Sequence, residues 1–386
     1  MEFSLTDEQQ AIRETADRFA REKLAPGYRQ RGEEGRLDRA LVREMGSLGL
    51  IGADLPEEFG GLGVDGLTGG LIMEAVAYGD FNTAYVPMLS SLSGRIVCEH
   101  AQPAVARDWM PKVVAGDALI GLALTEPRGG TDAANLQLRA EKQGNSGYLI
   151  NGEKTSISLA DQGDLFVVFA RTGGAEEGAR GVSAFVIPAD SRGITRTRFD
   201  DFGSESVGRG SLFFDNVAVP AENRLGDEGG GFYQVMQGFD YSRALIGLQC
   251  CALAQASLDE TWQWVQERET FGRPLAQYQG VTFPLAEGET LIHAARLLCY
   301  ETLWLRDQGR PHTDKAAMCK WFAPKTAADV IHNCLLAHGH AGYSKDSPHQ
   351  QRLRDVIGLE IGDGTAQISK LIIAREKIGN VAVQYR

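Results

Sequence analysis

The chain has 386 residues, 43% of them hydrophobic and 23% charged, a balance that suits a globular protein with a large core and more than one domain. Lys and Arg number 39 against 51 Asp and Glu, and the formal charge of −12 argues against nucleic acid and anionic membrane surfaces as main partners. A small anionic ligand stays compatible, since it needs only a local cluster of donors. Met1 to Gln10 carries acidic residues and no apolar run, so a secretory signal is not expected, and no stretch approaches the roughly 18 apolar residues of a membrane span. These features predict a cytoplasmic protein without membrane insertion. Cysteines at 98, 250, 251, 299, 319 and 334 form no Cys-x-x-Cys pair and sit mostly among helical apolar residues, which predicts buried, reduced thiols.

Three regions follow one another along the chain. Up to about Gly116 apolar residues recur at helical spacing. Thr6 and Gln9 make a capping box ahead of Ile12, Ala16, Phe19 and Ala20, which share one face, and further helices are predicted near 39–48, 67–78, 91–100 and 104–114. From Leu119 to about Val219 the period drops to two. Short strands are predicted at 119–125, 136–142, 148–151, 165–170, 182–188, 194–199 and 211–217, bounded by Gly, Asn and Asp. Strands joined by short turns, with no helices between them, suggest a barrel or sandwich. Long helical patterns return at 232–267, 277–308, 313–338, 349–359 and 365–383, with wide apolar faces that suit a bundle. The predicted architecture is α+β: an N-terminal α-helical domain over 1–118, a middle β-barrel or sandwich domain over 119–228, and a C-terminal α-helical bundle over 229–386.

Gly61-Leu62-Gly63-Val64-Asp65-Gly66 matches the dinucleotide fingerprint letter for letter, but that motif works only between a strand and a helix, and here it lies between helical segments. It is read as a chance match. His332, His338 and His340 cluster without a third ligand at metal spacing, so no metal site is expected. No Gly-x-Ser-x-Gly elbow is present, which removes the commonest hydrolase reading.

Four other segments carry more. Leu122-Ala123-Leu124-Thr125-Glu126-Pro127-Arg128-Gly129-Gly130-Thr131-Asp132 follows a strand and opens a Gly-rich turn that offers backbone N–H groups and hydroxyls to phosphate or a flavin ring. Asn151-Gly152-Glu153-Lys154-Thr155-Ser156-Ile157-Ser158 follows at hairpin distance. Glu267-Arg268-Glu269-Thr270-Phe271-Gly272-Arg273-Pro274-Leu275, with Tyr278-Gln279, separates two helices. Arg354-Asp355 precedes Asp363-Gly364-Thr365-Ala366-Gln367. In this order and at these separations, together with Leu55-Pro56-Glu57-Glu58-Phe59-Gly60-Gly61 and Phe214-Asp215-Asn216-Val217-Ala218-Val219-Pro220, the set resembles the acyl-CoA dehydrogenase family over nearly the whole chain.

The resemblance implies a C-terminal four-helix domain, a homotetramer, FAD as cofactor, an acyl-CoA substrate and an electron-transferring flavoprotein as electron acceptor. It places Leu124, Thr125, Gly130 and Thr131 along the flavin and its pyrophosphate, with Thr131 also near CoA. It places the Ser158 hydroxyl near flavin N5, with Ser156 beside the ring. Arg268, Phe271 and Gln279 match positions that hold the adenine end of FAD bound mainly by a neighbouring subunit, and Thr365 and Gln367 match residues that reach the same nucleotide. Ser242, Arg243, Gly362 and Gly364 fall where relatives meet substrate.

In most relatives the base is a Glu followed by Gly-Thr, and that register puts Asp363 in its place. The family's second location for the base is Ser242, which cannot serve, and leaves Asp240 as a distant alternative. Asp is one methylene shorter than Glu. Gly362 stands where relatives carry Tyr and Ser156 where many carry an aromatic, and both changes remove bulk near the reactive carbons. A ring-shaped or branched acyl group, such as cyclohexanecarboxyl-CoA, is the expected substrate, as in similar relatives that act on alicyclic esters with Asp. Leu336 and His340 depart from the family's usual Gln and Gly. Two other readings stay open: an oxidase resembling nitroalkane oxidases, which also use Asp, and a catalytically silent relative that binds flavin or acyl-CoA.

Overall fold

The structure is a computed structural model describing residues 4–144 and 146–383. The N-terminal helices are α1 (Asp7–Phe19), α2 (Tyr28–Glu34), α3 (Arg39–Ser47), α4 (Gly66–Gly79), α5 (Tyr85–Leu89), α6 (Arg95–His100) and α7 (Pro103–Val114). The capping box forms as expected: Gln9 N donates to the Thr6 hydroxyl at 3.2 Å, and Thr6 N donates to Gln9 Oε1 at 3.1 Å. The helix expected at 91–100 is instead shared between α6 and a π-helical turn at Ser90–Gly94 that continues from α5. Small polar residues there bond outside the helix ladder, as where the Ser91 hydroxyl donates to buried Asp54 at 2.7 Å. Gly66 opens α4 behind an Asp65 cap, with no strand before it, so the dinucleotide-like run is a helix entry.

The strands are β1 (Ile120–Ala123), β2 (Arg139–Lys142), β3 (Gly147–Ile157), β4 (Leu165–Arg171), β5 (Val182–Pro188), β6 (Ile194–Arg198), β7 (Gly210–Pro220) and β8 (Arg224–Leu225). They pair in the order β6-β7-β3-β2-β4-β5-β8, with β1 parallel to β4 on its side. A single register pair, Arg139 with Arg171, joins β2 to β4, so the sheet divides into two four-stranded halves. Ala140, Ile150 and Leu212 from one half and Ala123, Phe166 and Phe185 from the other lie in one core, the arrangement expected of a sandwich. Strand β4 is buried along its whole length. Phe166, Val168 and Ala170 face that core, while Leu165, Val167 and Phe169 join a second core with α6, α7 and the helix that follows the sheet. Strand β3 runs well past the four residues expected of it, because its pairing with β7 continues across two register shifts, one where Asp215 and Asn216 (φ +52°) oppose Asn151 and one where Thr155 and Ser156 (φ +58°) oppose Ser211.

The bundle comprises α8 (Gly231–Glu267), a small hairpin of β9 (Glu269–Thr270) and β10 (Arg273–Pro274), α9 (Gln279–Asp307), α10 (Thr313–His338), α11 (His340–Tyr343), α12 (Pro348–Ile361) and α13 (Ala366–Ile378). All six cysteines are free, and all but half-buried Cys98 are buried. No described helix is long and apolar enough to cross a membrane.

The three regions meet at Asp355 on α12. Its carboxylate accepts from the Tyr28 hydroxyl at 2.5 Å, Asn82 Nδ2 at 3.0 Å and Ser204 N at 2.6 Å, so α2, the lead-in to α5 and the β6–β7 loop all end on one buried side chain. Burial pushes Asp355 up to about 6 against the pull of these donors. The folded state therefore holds this proton more tightly than the unfolded chain, and the stability it confers is full below the unfolded value and lost as pH rises through about 6. The destabilisation caused by Asp355→Asn is expected to be smaller at pH 7.5 than at pH 4.5 by about 2 kcal/mol, read from urea unfolding of both proteins at each pH.

Candidate active site

The Gly-rich turn after β1 is held by a buried ion pair. Glu126 and fully buried Lys154, on β3, lie 2.7 Å apart. Lys154 Nζ also donates to Leu124 O at 2.9 Å, and Glu126 accepts from Gln137 N at 2.6 Å and Leu138 N at 2.8 Å. Burial holds Lys154 down at about 8, with Glu126 opposing the shift. Every lone pair and proton so matched makes the pair stable where it is, and removing one partner would strand the other. Thr155 N donates to Thr125 O at 2.9 Å, so the first motif is sewn directly to the second. Next to that stitch the β3–β7 register shifts between Lys154 and Ile157, and Ser156 takes φ +58°.

The result is a shallow cradle. The hydroxyls of Thr125, Thr131, Ser156 and Ser158 make no hydrogen bond among the described residues. A Cβ added at Gly129 would meet only Asp132 at 4.0 Å, and one at Gly130 only Thr125 at 3.5 Å. Leu124 is buried beneath, and Thr131 and Ser156 are exposed. Unspent hydroxyls around a floor of small residues fit a flavin ring and its diphosphate.

Asp363 stands in the turn between α12 and α13. It is half-buried, takes φ +55°, and makes no hydrogen bond or ion pair of its own among the described residues. Burial holds its carboxyl above the usual carboxylate range, while Lys320 and then Arg243 pull it down. The backbone N–H groups of Asp363 and Gly364 are likewise unengaged. Gly362, exposed, precedes them, and Thr365 caps α13 by accepting from Ile368 N at 3.4 Å. A carboxylate free of partners, with a raised proton affinity, can act as a base.

The alternatives fall away on contacts. Asp240 accepts from Arg243 at 2.9 Å and from the Thr313 hydroxyl at 2.6 Å, so both its oxygens are committed. Ser242 is fully buried, and its hydroxyl donates to Phe239 O at 3.4 Å. Arg243 is buried, its guanidinium Nε has no partner, and its charge acts on Asp363.

Most of the residues expected at the nucleotide end lie on open surface. Phe271 is 94% exposed at φ +50°, and Arg268, Gln279 and Gln367 are exposed as well. Arg268 lies 6.0 Å over Trp264, which stacks on His338, itself against His349. His338 thus belongs to an aromatic stack, and Leu336 and His340 beside it are exposed. Sequence reasoning missed three groups near the centre: Lys154, Tyr85 and Lys320. Tyr85, buried at the start of α5, has its phenol pushed well up by burial first and by Asp363 next. Lys154 lies inside a quoted motif, but nothing in a one-residue charge signals burial. Tyr85 and Lys320 come from distant helices with no local signature.

The acyl-CoA dehydrogenase N-terminal domain matches residues 6–117, the middle domain 121–217 and the C-terminal domain 229–378. The chain belongs to the acyl-CoA dehydrogenase family, FAD-dependent oxidoreductases acting on CH–CH groups. It is 35% identical to a probable acyl-CoA dehydrogenase of Bacillus subtilis, over 97% of this chain and 99% of that one. It is 34% identical to benzylmalonyl-CoA dehydrogenase of Aromatoleum aromaticum, over 97% and 99%. The solved butyryl-CoA dehydrogenase of Megasphaera elsdenii superposes with a TM-score of 0.93 at 32% identity, covering 98% of this chain and 100% of that one.

Glu126→Gln leaves Lys154 buried without its counter-charge. It is expected to cost about 3–5 kcal/mol and to lower bound FAD per chain, read by urea unfolding and by flavin absorbance after gel filtration.

Proposed function

We propose that the chain removes the α and β hydrogens of an acyl-CoA thioester with Asp363 as base, and that the acyl group is ring-shaped or branched. The observation that carries this is the lone, half-buried carboxylate of Asp363, unpaired and held above its ordinary range. FAD supplies, when bound, the acceptor for the β hydrogen as hydride. Thr125, Thr131, Ser156 and Ser158 hold the flavin and diphosphate, with Leu124 and Gly130 beneath. Arg268, Phe271, Gln279, Thr365 and Gln367 take the adenine end. Phe271 and Arg268 project from the subunit surface, which supports completion of that end by a second copy in a homotetramer.

An α C–H beside a thioester is weakly acidic, so the base must be held over it, and a positioned base contributes about 10²–10⁴-fold. As the α proton moves to the Asp363 carboxylate, charge develops on the thioester oxygen. The free N–H groups beside Asp363 donate to it. The exposed Gly362 and Ser156 leave room on either side of the reacting carbons, and Arg243 holds its charge behind the base. A substrate that fills this room offsets the shorter reach of Asp. The domain boundaries at 118/119 and 228/229 belong to the same reading, as do a cytoplasmic location and an electron-transferring flavoprotein as acceptor.

The test is anaerobic titration of the FAD-loaded protein with linear, branched and cyclic acyl-CoAs, watching flavin absorbance. Cyclohexanecarboxyl-CoA is expected to bleach the flavin faster than linear esters, and Asp363→Asn to abolish bleaching with FAD retained. Bleaching by linear esters alone would remove the ring. Reaction with oxygen and a substrate lacking CoA would remove the dehydrogenase reading itself. Because Asp363 works deprotonated and its affinity for protons is raised, kcat/KM should fall with decreasing pH through a midpoint above the ordinary Asp range, measured with buffers of constant ionic strength.

A further inference from the structure

Lys320 lies on α10, 1% exposed, in a bundle core otherwise built from residues such as Ala316, Cys319 and Ala323. A lone cation in such a place costs free energy unless specific partners receive its protons. Its ammonium donates to Leu359 O at 2.6 Å and to Gly364 O at 3.0 Å. Leu359 is in the last turn of α12, where carbonyls lack helical partners, and Gly364 directly follows Asp363. The two bonds therefore bracket the turn that carries the candidate base. That turn needs bracing: Asp363 takes φ +55°, a region a side chain bearing a Cβ avoids, and such a conformation persists only where its surroundings over-determine it.

We propose that Lys320 is a positioning residue for the base, clamping the 359–364 turn so that the Asp363 carboxylate is held in place while remaining unpaired. The inference rests on the reading of Asp363 as base. Lys320 has two effects. The clamp fixes the turn through backbone carbonyls. The charge then acts on the carboxylate through space: Lys320 is the largest of the influences that lower Asp363, ahead of Arg243, and Asp363 in turn is the first of those that raise Lys320 against burial. No ion pair forms between them among the described residues, so no partner has to be displaced from the carboxyl when substrate arrives. The other ionisable groups around this centre are Arg243 on α8 and Tyr85 on α5, with Cys250 and Glu360 acting on Lys320.

The experiment compares the FAD-loaded wild type with Lys320→Met, Lys320→Gln and Asp363→Asn. Lys320→Met is expected to keep FAD, to slow flavin bleaching by roughly 10- to 100-fold, and to move the acid limb of the kcat/KM profile to higher pH, since the carboxyl loses its strongest cationic neighbour. Hydrogen exchange should quicken in the 359–366 peptide and stay unchanged in the β4 peptide. Lys320→Gln, which keeps donors without charge, should shift the acid limb in the same direction, and provides the profile if the Met variant fails to fold. An unmoved acid limb with unchanged exchange at 359–366, while Asp363→Asn is inactive, overturns the role of Lys320 and leaves the base reading standing. Full activity in Asp363→Asn overturns both.

Discussion

A carboxylate taken out of water must be given donors, and Asp355 is given three, each from a different stretch of chain. The Tyr28 hydroxyl, the Asn82 amide and the Ser204 N–H can reach one side chain only if α2, the lead-in to α5 and the β6–β7 loop converge on α12. The cost of stranding any of them is what makes the convergence specific. Asp355 and Asp363 stand on the same helix and its exit turn, so the node that joins the three regions also fixes where the base can stand. Arg354 reinforces the node from the next position, donating to Phe202 O at 2.9 Å and to Glu205 at 2.7 Å.

The site is assembled by the same means at shorter range. A buried Lys–Glu pair shapes the turn proposed to hold flavin; a buried Lys shapes the turn of the proposed base through two carbonyls. In both cases the charged group is buried, while the hydroxyls of Thr125, Thr131, Ser156 and Ser158 and the carboxylate of Asp363 are left without hydrogen bonds among the described residues. Two of the non-glycine residues with positive φ stand beside these turns, Ser156 on β3 next to the first and Asp363 within the second. Strain of this kind survives where packing leaves no alternative.

Much of the fold was readable because its periods are strong. The 3.6-residue pattern of 313–338 and the alternation of 182–188 reproduce the observed elements to the residue. The misses have physical causes. The π-turn at Ser90–Gly94 accompanies a tertiary bond to Asp54, and β3 outruns its expected end because bulges at Asp215–Asn216 and Thr155–Ser156 carry its pairing onward. Strand β8, two residues long, carries no period at all. At the site, the motifs led to the turn, to Asp363 and to the exposed nucleotide-end residues. They did not lead to Lys320, Tyr85 or Asp355 as working groups, because each acts through neighbours distant in sequence or through burial that one sequence does not disclose.

Helix α8 runs 37 residues, about 55 Å of unbroken rod. Its first turns, through Val235 and Phe239, are packed into the core shared with the sheet, and the rest, from Tyr241 to Val265, forms the spine of the bundle. Neither core can lose this helix and remain closed, so the two have no separate melting points to display. Heat should dissolve sheet and bundle in a single cooperative step, and a truncation within α8 should yield no folded half of the molecule.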